Sequence, residues 1–419
     1  MNALARKMRE YARLAGKMGA YGLLAAFWGV FLVAFTAHMA PRFGYLTGRP
    51  IGNDAPCHKP ECDFSVFWPA GILARAHDYA TLYSAPAFIR AVNTMLPPSP
   101  NIETFFYPPT MLLPVAAISH LPFEWGAFVW MFGTLALAAV VLRLARVHWL
   151  VIAAGLLSPA ALLNTEVAQL GALGGSLLLA GLLLAERRPA LSGGLLGLLA
   201  AKPQIGLLVP AVYLAQRNWR GLGVFALWVL ALAGASAWIF GPAAWRAYYM
   251  LGHAETARIM AAPFDPATSQ GWGVSVYWLL RSFGLGLQPA LALQAICALA
   301  AAGALFWLRP RLPGPAFTEI AVYLSLLATP YGYSTDMVAY SLVLAEAVRR
   351  RGWRIGMLDT VLWLWPGFCL VVSEATGLVL TPVFVLLALR RSWTNRQPRP
   401  ADGSAPYLAA TGANYGTDG

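Results

Sequence analysis

Residues 143–188 read RLARVHWLVIAAGLLSPAALLNTEVAQLGALGGSLLLAGLLLAERR. Two apolar runs, about Leu150–Leu163 and Leu170–Ala185, lie between the basic pairs Arg143/Arg146 and Arg187/Arg188, and they meet at a polar turn carrying Asn164, Glu166 and Gln169. Lys and Arg accumulate on the cytoplasmic side of membrane spans. Both basic pairs therefore belong inside, and the stretch predicts a hairpin through a bilayer with its polar turn outside.

The same rhythm extends in both directions. Basic clusters recur at Arg6/Lys7/Arg9/Arg13/Lys17, Arg217/Arg220, Arg309/Arg311, Arg349/Arg350/Arg351/Arg354 and Arg390/Arg391/Arg396/Arg399, so that seven clusters hold 21 of the 30 basic residues. With every cluster inside, the number of crossings between neighbours must be even. The predicted outward and inward spans are then about 21–39, 125–144, 150–163, 170–185, 191–201, 205–215, 221–240, 291–308, 320–329, 337–348, 357–372 and 378–389. This is a polytopic all-α membrane protein of about twelve transmembrane helices with both termini cytoplasmic. The span at 21–39 is too long for a signal peptide and is followed by no small-residue cleavage site, so it reads as a retained anchor.

Composition agrees. Only 11% of the 419 residues are charged and 58% are hydrophobic, with a mean hydropathy of +0.59, against about 25% charged in ordinary globular chains. The net charge of +12 is an orientation signal here and not a footprint for nucleic acid.

One transmembrane domain, residues 1–390, is expected, with a first outer loop at 40–123, a second at 241–287 and a disordered cytoplasmic tail at 391–419. The apolar stretch 107–121 would put Arg143 and Arg146 outside if it crossed, so it is expected to be re-entrant or to lie on the outer face. Several spans are shorter than the roughly 20 residues a lone helix needs, which is tolerable where broken backbone is buried in protein or lines a cavity. The breaks at Ala201-Lys202-Pro203 and Thr329-Pro330-Tyr331 both fall on the outer side.

Polar residues in such a chain are costly and mark function. Five groups end on the outer side: Asp63; Tyr107-Pro108-Pro109; Asn164, Glu166 and Gln169; Lys202 and Gln204; and Tyr331, Tyr333 and Asp336. That one-sidedness points to an outward-facing cavity. Plainer readings stand beside it. Asp63 and Asp336 each precede an apolar run and fit helix N-caps, Lys202 fits a snorkelling lysine, and the aromatic residues fit interface belts. Cys57 and Cys62 read as a disulfide if their side is periplasmic, whereas zinc would need two more ligands, so no metal is expected. Cys297 and Cys369 read as core fillers, and Gly174-Gly175 and Gly193-Gly194 as sites of close helix packing.

The motifs in order resemble those of glycosyltransferase family 87. Asp63-Phe64-Ser65-Val66-Phe67-Trp68-Pro69-Ala70-Gly71 with Asp78-Tyr79-Ala80-Thr81-Leu82-Tyr83 is similar to that family's first-loop pattern. Phe106-Tyr107-Pro108-Pro109 with Leu121-Pro122, Gln169 at a span start, Ala201-Lys202-Pro203-Gln204 followed by Arg217-Asn218-Trp219-Arg220, and Thr329-Pro330-Tyr331 through Asp336 complete the likeness over about residues 20–350. The late turn has no His, unlike members related to phosphoinositide mannosyltransferases, and the Cys57-to-Cys62 insertion is unusual for the family.

The resemblance implies an integral membrane enzyme of the C-type glycosyltransferase fold, working in cell-envelope glycan synthesis. It would move a sugar, mannose or a pentose, from a polyprenyl-phosphate donor to a lipid or glycan acceptor on the outer face of the inner membrane, without a cofactor. The first-loop Asp is the family's general base, which carries onto Asp63. Attack of a hydroxyl on an anomeric carbon needs one carboxylate to take the proton, and the departing phosphate needs cations and donors, for which Lys202, Gln204 and Tyr107 are placed. Asn164, Gln169, Tyr331 and Asp336 complete the expected substrate-binding set. A flippase or transporter of lipid-linked sugars is the competing class, but transporters commonly show repeated halves and midplane charges, and neither is evident in this sequence.

Overall fold

A computed structural model describes residues 14, 16, 18–30, 63–96 and 103–394. Cys57, Cys62 and the tail beyond Thr394 lie outside the described residues. In chain order the helices are α1 (Met18–Val30), α2 (Phe64–Arg75), α3 (Tyr79–Tyr83), α4 (Ala85–Met95), α5 (Leu112–Ile118), α6 (Phe123–Leu144), α7 (Trp149–Leu156), α8 (Pro159–Glu166), α9 (Gly171–Leu184) and α10 (Pro189–Gly197). They continue with α11 (Val209–Ala215), α12 (Trp219–Ala247), α13 (His253–Ala261), α14 (Val276–Ser282), α15 (Leu287–Leu308), α16 (Gly314–Ala328), α17 (Val338–Arg350), α18 (Met357–Thr376) and α19 (Thr381–Thr394). Among the described residues there is no strand, only an isolated bridge between Gly273 and Tyr333.

Among the described residues four helices are long and apolar enough to cross a bilayer: α6, α12 with its continuation to Ala261, α15 and α18; α7 and α8, bent by 52° at their junction, make a fifth if taken together. The most apolar window of the α12 continuation has a mean hydropathy of 2.0, yet only 6% of it is buried within the protein. Leu227, Leu230 and Trp238 face outward, Trp238 at 88% exposure. A helix that apolar, with so little of it covered by protein, requires lipid around it. The other expected crossings fall on short helices or stretches. Of these, α9, α16 and α17 are packed almost wholly inside the protein, where a helix of 14 residues covers about 21 Å against about 30 Å of hydrocarbon. The apolar stretch 107–121 forms a single short helix, Pro109–Ile118, about 15 Å long.

The expected end of a span at Phe240 coincides with a break in the helix. Gly241 takes φ 74°, ψ 165° and is followed by Pro242, after which the helix resumes. Proline has no N–H for the ladder, and glycine alone enters this left-handed backbone without a Cβ penalty. The segment 241–287 is consequently largely helical, with a π-helical stretch at Tyr248–Gly252, α13 and α14.

Two ends of the bundle are chemically distinct. Arg309 pairs with Glu186 at 2.7 Å, Arg350 with Glu319 at 3.4 Å, and Arg351 and Arg391 both with Asp359 at 2.8 and 2.5 Å. Four of the basic clusters are thereby drawn together. Glu186 follows the C-terminus of α9 and Arg350 ends α17, while Gln169 and Asp336 precede the N-termini of the same two helices. The basic clusters and the polar turns therefore occupy opposite ends of α9 and α17.

Glycines set how closely the helices approach. A Cβ on Gly193 would lie 2.6 Å from the Gly221 carbonyl oxygen and one on Gly197 2.4 Å from Trp228 Cβ, so α10 packs with its backbone against α12. The pairs singled out in the sequence, Gly174-Gly175 and Gly193-Gly194, are indeed packing glycines, and Cys369 is a buried core residue.

Candidate active site

The polar turns converge on Gln169, and local backbone chemistry explains why. α8 ends with Val167 as its cap, Ala168 at φ 56° and paired hydrogen bonds from Ala168 N to Thr165 O (3.1 Å) and from Gln169 N to Asn164 O (2.8 Å). This is a Schellman closure with alanine where glycine is usual. The strained turn is held from outside: Trp130 Nε1 donates to Ala168 O at 2.9 Å, and Asp63 N donates to Val167 O, also at 2.9 Å. The backbone at the head of α2 is thus tied to the turn that presents Gln169.

Asp63 stands where an N-cap would stand, but its carboxylate makes no capping bond. Oδ2 instead accepts from Gln169 Nε2, which also donates to Tyr107 Oη at 3.0 Å. Gln169 Oε1 accepts from Lys202 Nζ at 3.1 Å and from Leu170 N at 3.2 Å. The orientation of the amide is dictated by charge: its NH₂ faces the carboxylate and its oxygen faces the ammonium. Reversing it would set oxygen against Asp63 and NH₂ against Lys202.

Lys202 sits at a non-helical break between two 3₁₀ turns, Leu198–Ala201 and Pro203–Gly206, with φ −136° and ψ 72°. It does not snorkel. Nζ donates to Asp336 Oδ1 at 2.5 Å, and both side chains are about 95% buried. Asp336 Oδ2 accepts from Tyr333 N at 3.3 Å, so this residue also closes its own 3₁₀ turn, Ser334–Met337. Burial of a charge is tolerable only when it is paired and hydrogen-bonded, and each member of this pair meets that condition through the other.

Close approach of the Asp336 turn depends on α9. A Cβ on Gly171 would fall 2.0 Å from Thr335 O, and one on Gly175 would fall 2.8 Å from Ala339 N. The remaining wall is aromatic. Tyr107 packs against Phe67 and Phe106, Phe106 meets Tyr331 edge-on, and Tyr331 meets Tyr333. Tyr83 Oη donates to Tyr107 O at 3.1 Å and Thr110 Oγ1 to Ala200 O at 2.7 Å, joining the 107–110 turn to the Lys202 break.

The result has depth. Lys202 and Asp336 form a buried floor, while Asp63, Tyr107, Gln169, Tyr331 and Tyr333 are half-buried walls. Glu103 is exposed, and it lies near enough to Asp63 for its charge to act on that carboxyl. Burial raises the Asp63 carboxyl well above the usual carboxylate range and the negative charge of Glu103 raises it further, while the Gln169 bond and Lys202 oppose the rise. Burial also raises Glu103 and the phenols of Tyr107, Tyr331 and Tyr333. A carboxylate so tuned is a stronger base than an ordinary aspartate.

Five expected residues, Asp63, Tyr107, Gln169, Lys202 and Asp336, are joined by hydrogen bonds, and Tyr331 closes the aromatic side. Two stand apart from that network. Asn164 is buried, with Oδ1 accepting from Ala172 N at 3.1 Å, and it braces the α8–α9 turn. Gln204 lines a void of about 20 Å³ behind Asp336, with Ser325, Thr329 and Gly332. Glu103 and Trp130 escaped the sequence reading. Glu103 had a signal, since it is a carboxylate four residues before Tyr107 in a segment expected to be an outer loop; Trp130 lies mid-helix in a run of apolar residues and had none.

A family model for glycosyltransferase family 87 matches residues 105–330, more than half of the chain. The chain belongs to glycosyltransferase family 87. It is a membrane glycosyltransferase, and the match spans Tyr107, Gln169, Lys202 and Gln204. Asp63, Glu103, Tyr331 and Asp336 fall outside the matched stretch, and folding brings them to the glycosyltransferase residues inside it. No curated protein and no solved structure matches the chain.

Proposed function

We propose that this family 87 glycosyltransferase transfers a sugar from a polyprenyl-phosphate donor to a hydroxyl of a lipid or glycan acceptor at the outer face of the inner membrane. The observation that carries the reading is the arrangement at Gln169: a half-buried, raised carboxylate on one side of a fixed amide and a buried ammonium on the other. Asp63 takes the proton as the acceptor oxygen bonds to the anomeric carbon. The bond from that carbon to the phosphate oxygen breaks, its electron pair leaves with the lipid phosphate, and one displacement inverts the centre. Lys202 has three N–H donors. Two are engaged by Asp336 and Gln169, and the third is left for a phosphate oxygen.

Mannose is the proposed sugar, with a pentose as the nearest variant. The C-type fold, twelve crossings, cytoplasmic termini and independence of metal belong to the same proposal. Support for the orientation comes from the gathering of basic clusters at the end of α9 opposite Gln169. The test is turnover of a panel of polyprenyl-phosphate sugars by purified protein in proteoliposomes, with products read by mass spectrometry. Asp63→Asn is expected to lower kcat/KM by about 10²–10⁴, the usual contribution of a general base. Unchanged turnover would remove Asp63 from the role. Sugar crossing the bilayer with no new glycosidic bond would replace the enzyme by a transporter.

A further inference from the structure

α2 carries Asp63 at its head, and about 18 Å away, at 1.5 Å per residue, its tail opens on a separate cavity. This cleft, about 460 Å³, is lined by Arg75, His77 and His120 together with Leu113, Ile239 and Phe240. No carboxylate lines it. Arg75 has no acidic partner among the described residues; Nη1 donates to Ser119 O at 3.3 Å, which fixes the guanidinium at the rim. His77 Nδ1 is engaged with Tyr79 Oη at 2.6 Å, leaving Nε2 to a ligand.

The apolar wall is the last turn of α12 before the Gly241 bend. Ile239 is half-exposed, and its neighbour Trp238 is the most outward-facing large side chain of that lipid-facing helix. The cavity thus joins the Arg75 guanidinium to an apolar helix surface left uncovered by the described residues. Arginine is well suited to phosphate because its planar fork donates two parallel bonds. The volume is within the range of small-ligand sites, roughly 300–1,000 Å³. We propose that this cavity holds the headgroup of an anionic membrane phospholipid, with its phosphate on Arg75 and His120 and one acyl chain along Ile239 and Phe240. None of these residues belongs to the Asp63 cluster, so the site is independent of the sugar-transfer reading.

The test is lipid retention by the full chain in neutral detergent, measured by native mass spectrometry and by thermal shift, with phosphatidylglycerol, phosphatidylcholine and a polyprenyl phosphate as probes. Wild type is expected to retain phosphatidylglycerol in preference to the other two and to gain thermal stability from it. The Arg75→Gln/His120→Gln variant is expected to lose at least tenfold in affinity and to lose that gain. Arg75 also braces Ser119, so a second variant, Ala117→Trp, fills the cavity while leaving Arg75 and His120 in place; it is expected to show the same loss. If Ala117→Trp keeps wild-type affinity for phosphatidylglycerol, if phosphatidylcholine binds as tightly, or if polyprenyl phosphate is preferred, the proposal is overturned.

Discussion

Gly171→Ala removes no polar group and adds one methyl, yet it is expected to disable the enzyme. The added carbon would sit 2.0 Å from Thr335 O, whereas ordinary contact begins at 3.4 Å. The Ser334–Met337 turn must therefore retreat by about 1.4 Å, because hard-core repulsion at such a distance cannot be absorbed by dispersion contacts worth only about 0.1–0.2 kcal/mol each. Asp336 lies on that turn, 2.5 Å from Lys202 Nζ. The same retreat stretches the pair towards about 3.9 Å, well past hydrogen-bond range, and frees Lys202 from its fixed position against Gln169. A misplacement of about 1 Å costs a catalytic constellation about 10² in rate. The assay is sugar transfer at saturating donor alongside a thermal melt. Gly234→Ala is the control, since nothing lies within 4 Å of that position; there alanine should hold or slightly raise stability by its better helix propensity, by at most about 1 kcal/mol. Wild-type kcat and melting temperature for Gly171→Ala would refute the packing argument.

The acid limb of the pH profile should report Asp63. The base works deprotonated and its carboxyl is raised, so kcat/KM falls as pH drops through that raised value; Glu103→Gln removes a negative charge that adds to the rise and should move the limb to lower pH. A limb that stays in place, or moves upward, rules out Glu103 as a neighbour of the base. Lys202→Met leaves Asp336 buried without its cation, a situation that costs about 3–5 kcal/mol, so it should lower the melting temperature. Lys202→Met/Asp336→Leu should recover stability while staying inactive, and equal melts for the single and double variants would count against the pair. At the opposite end, Asp359→Ala leaves Arg351 and Arg391 without their shared carboxylate and should destabilise without changing KM for donor, whereas a raised KM would mean that the ion cluster reaches the site.

How much was legible in the sequence depends on which force decides each feature. Basic clusters and apolar runs gave the membrane character, because charge and hydropathy are local properties of the chain. Lys202 and Asp336 were each recognisable as costly polar residues beside a helix break. Their direct pairing was not, since it depends on a backbone approach at Gly171 that no spacing rule reveals. Asn164 and Gln204 looked equivalent to Gln169 because composition does not say which amide a Schellman turn will present. At Gly241-Pro242 the stop signal was legible and the helix does break there, but the signal does not tell that a further helical stretch follows at once. Glu103 was overlooked because its role comes from Asp63, 40 residues earlier.

Trp130 is the seventh residue after Phe123, the first of α6, and it bonds the turn that holds Gln169. Seven helical steps are about 10 Å, so the turn that presents Gln169 is tied to α6 about two helical turns in from its first residue. If the donor is lipid-linked, as proposed, a sideways approach along this apolar helix would bring its sugar to that turn without lifting the lipid out of the bilayer.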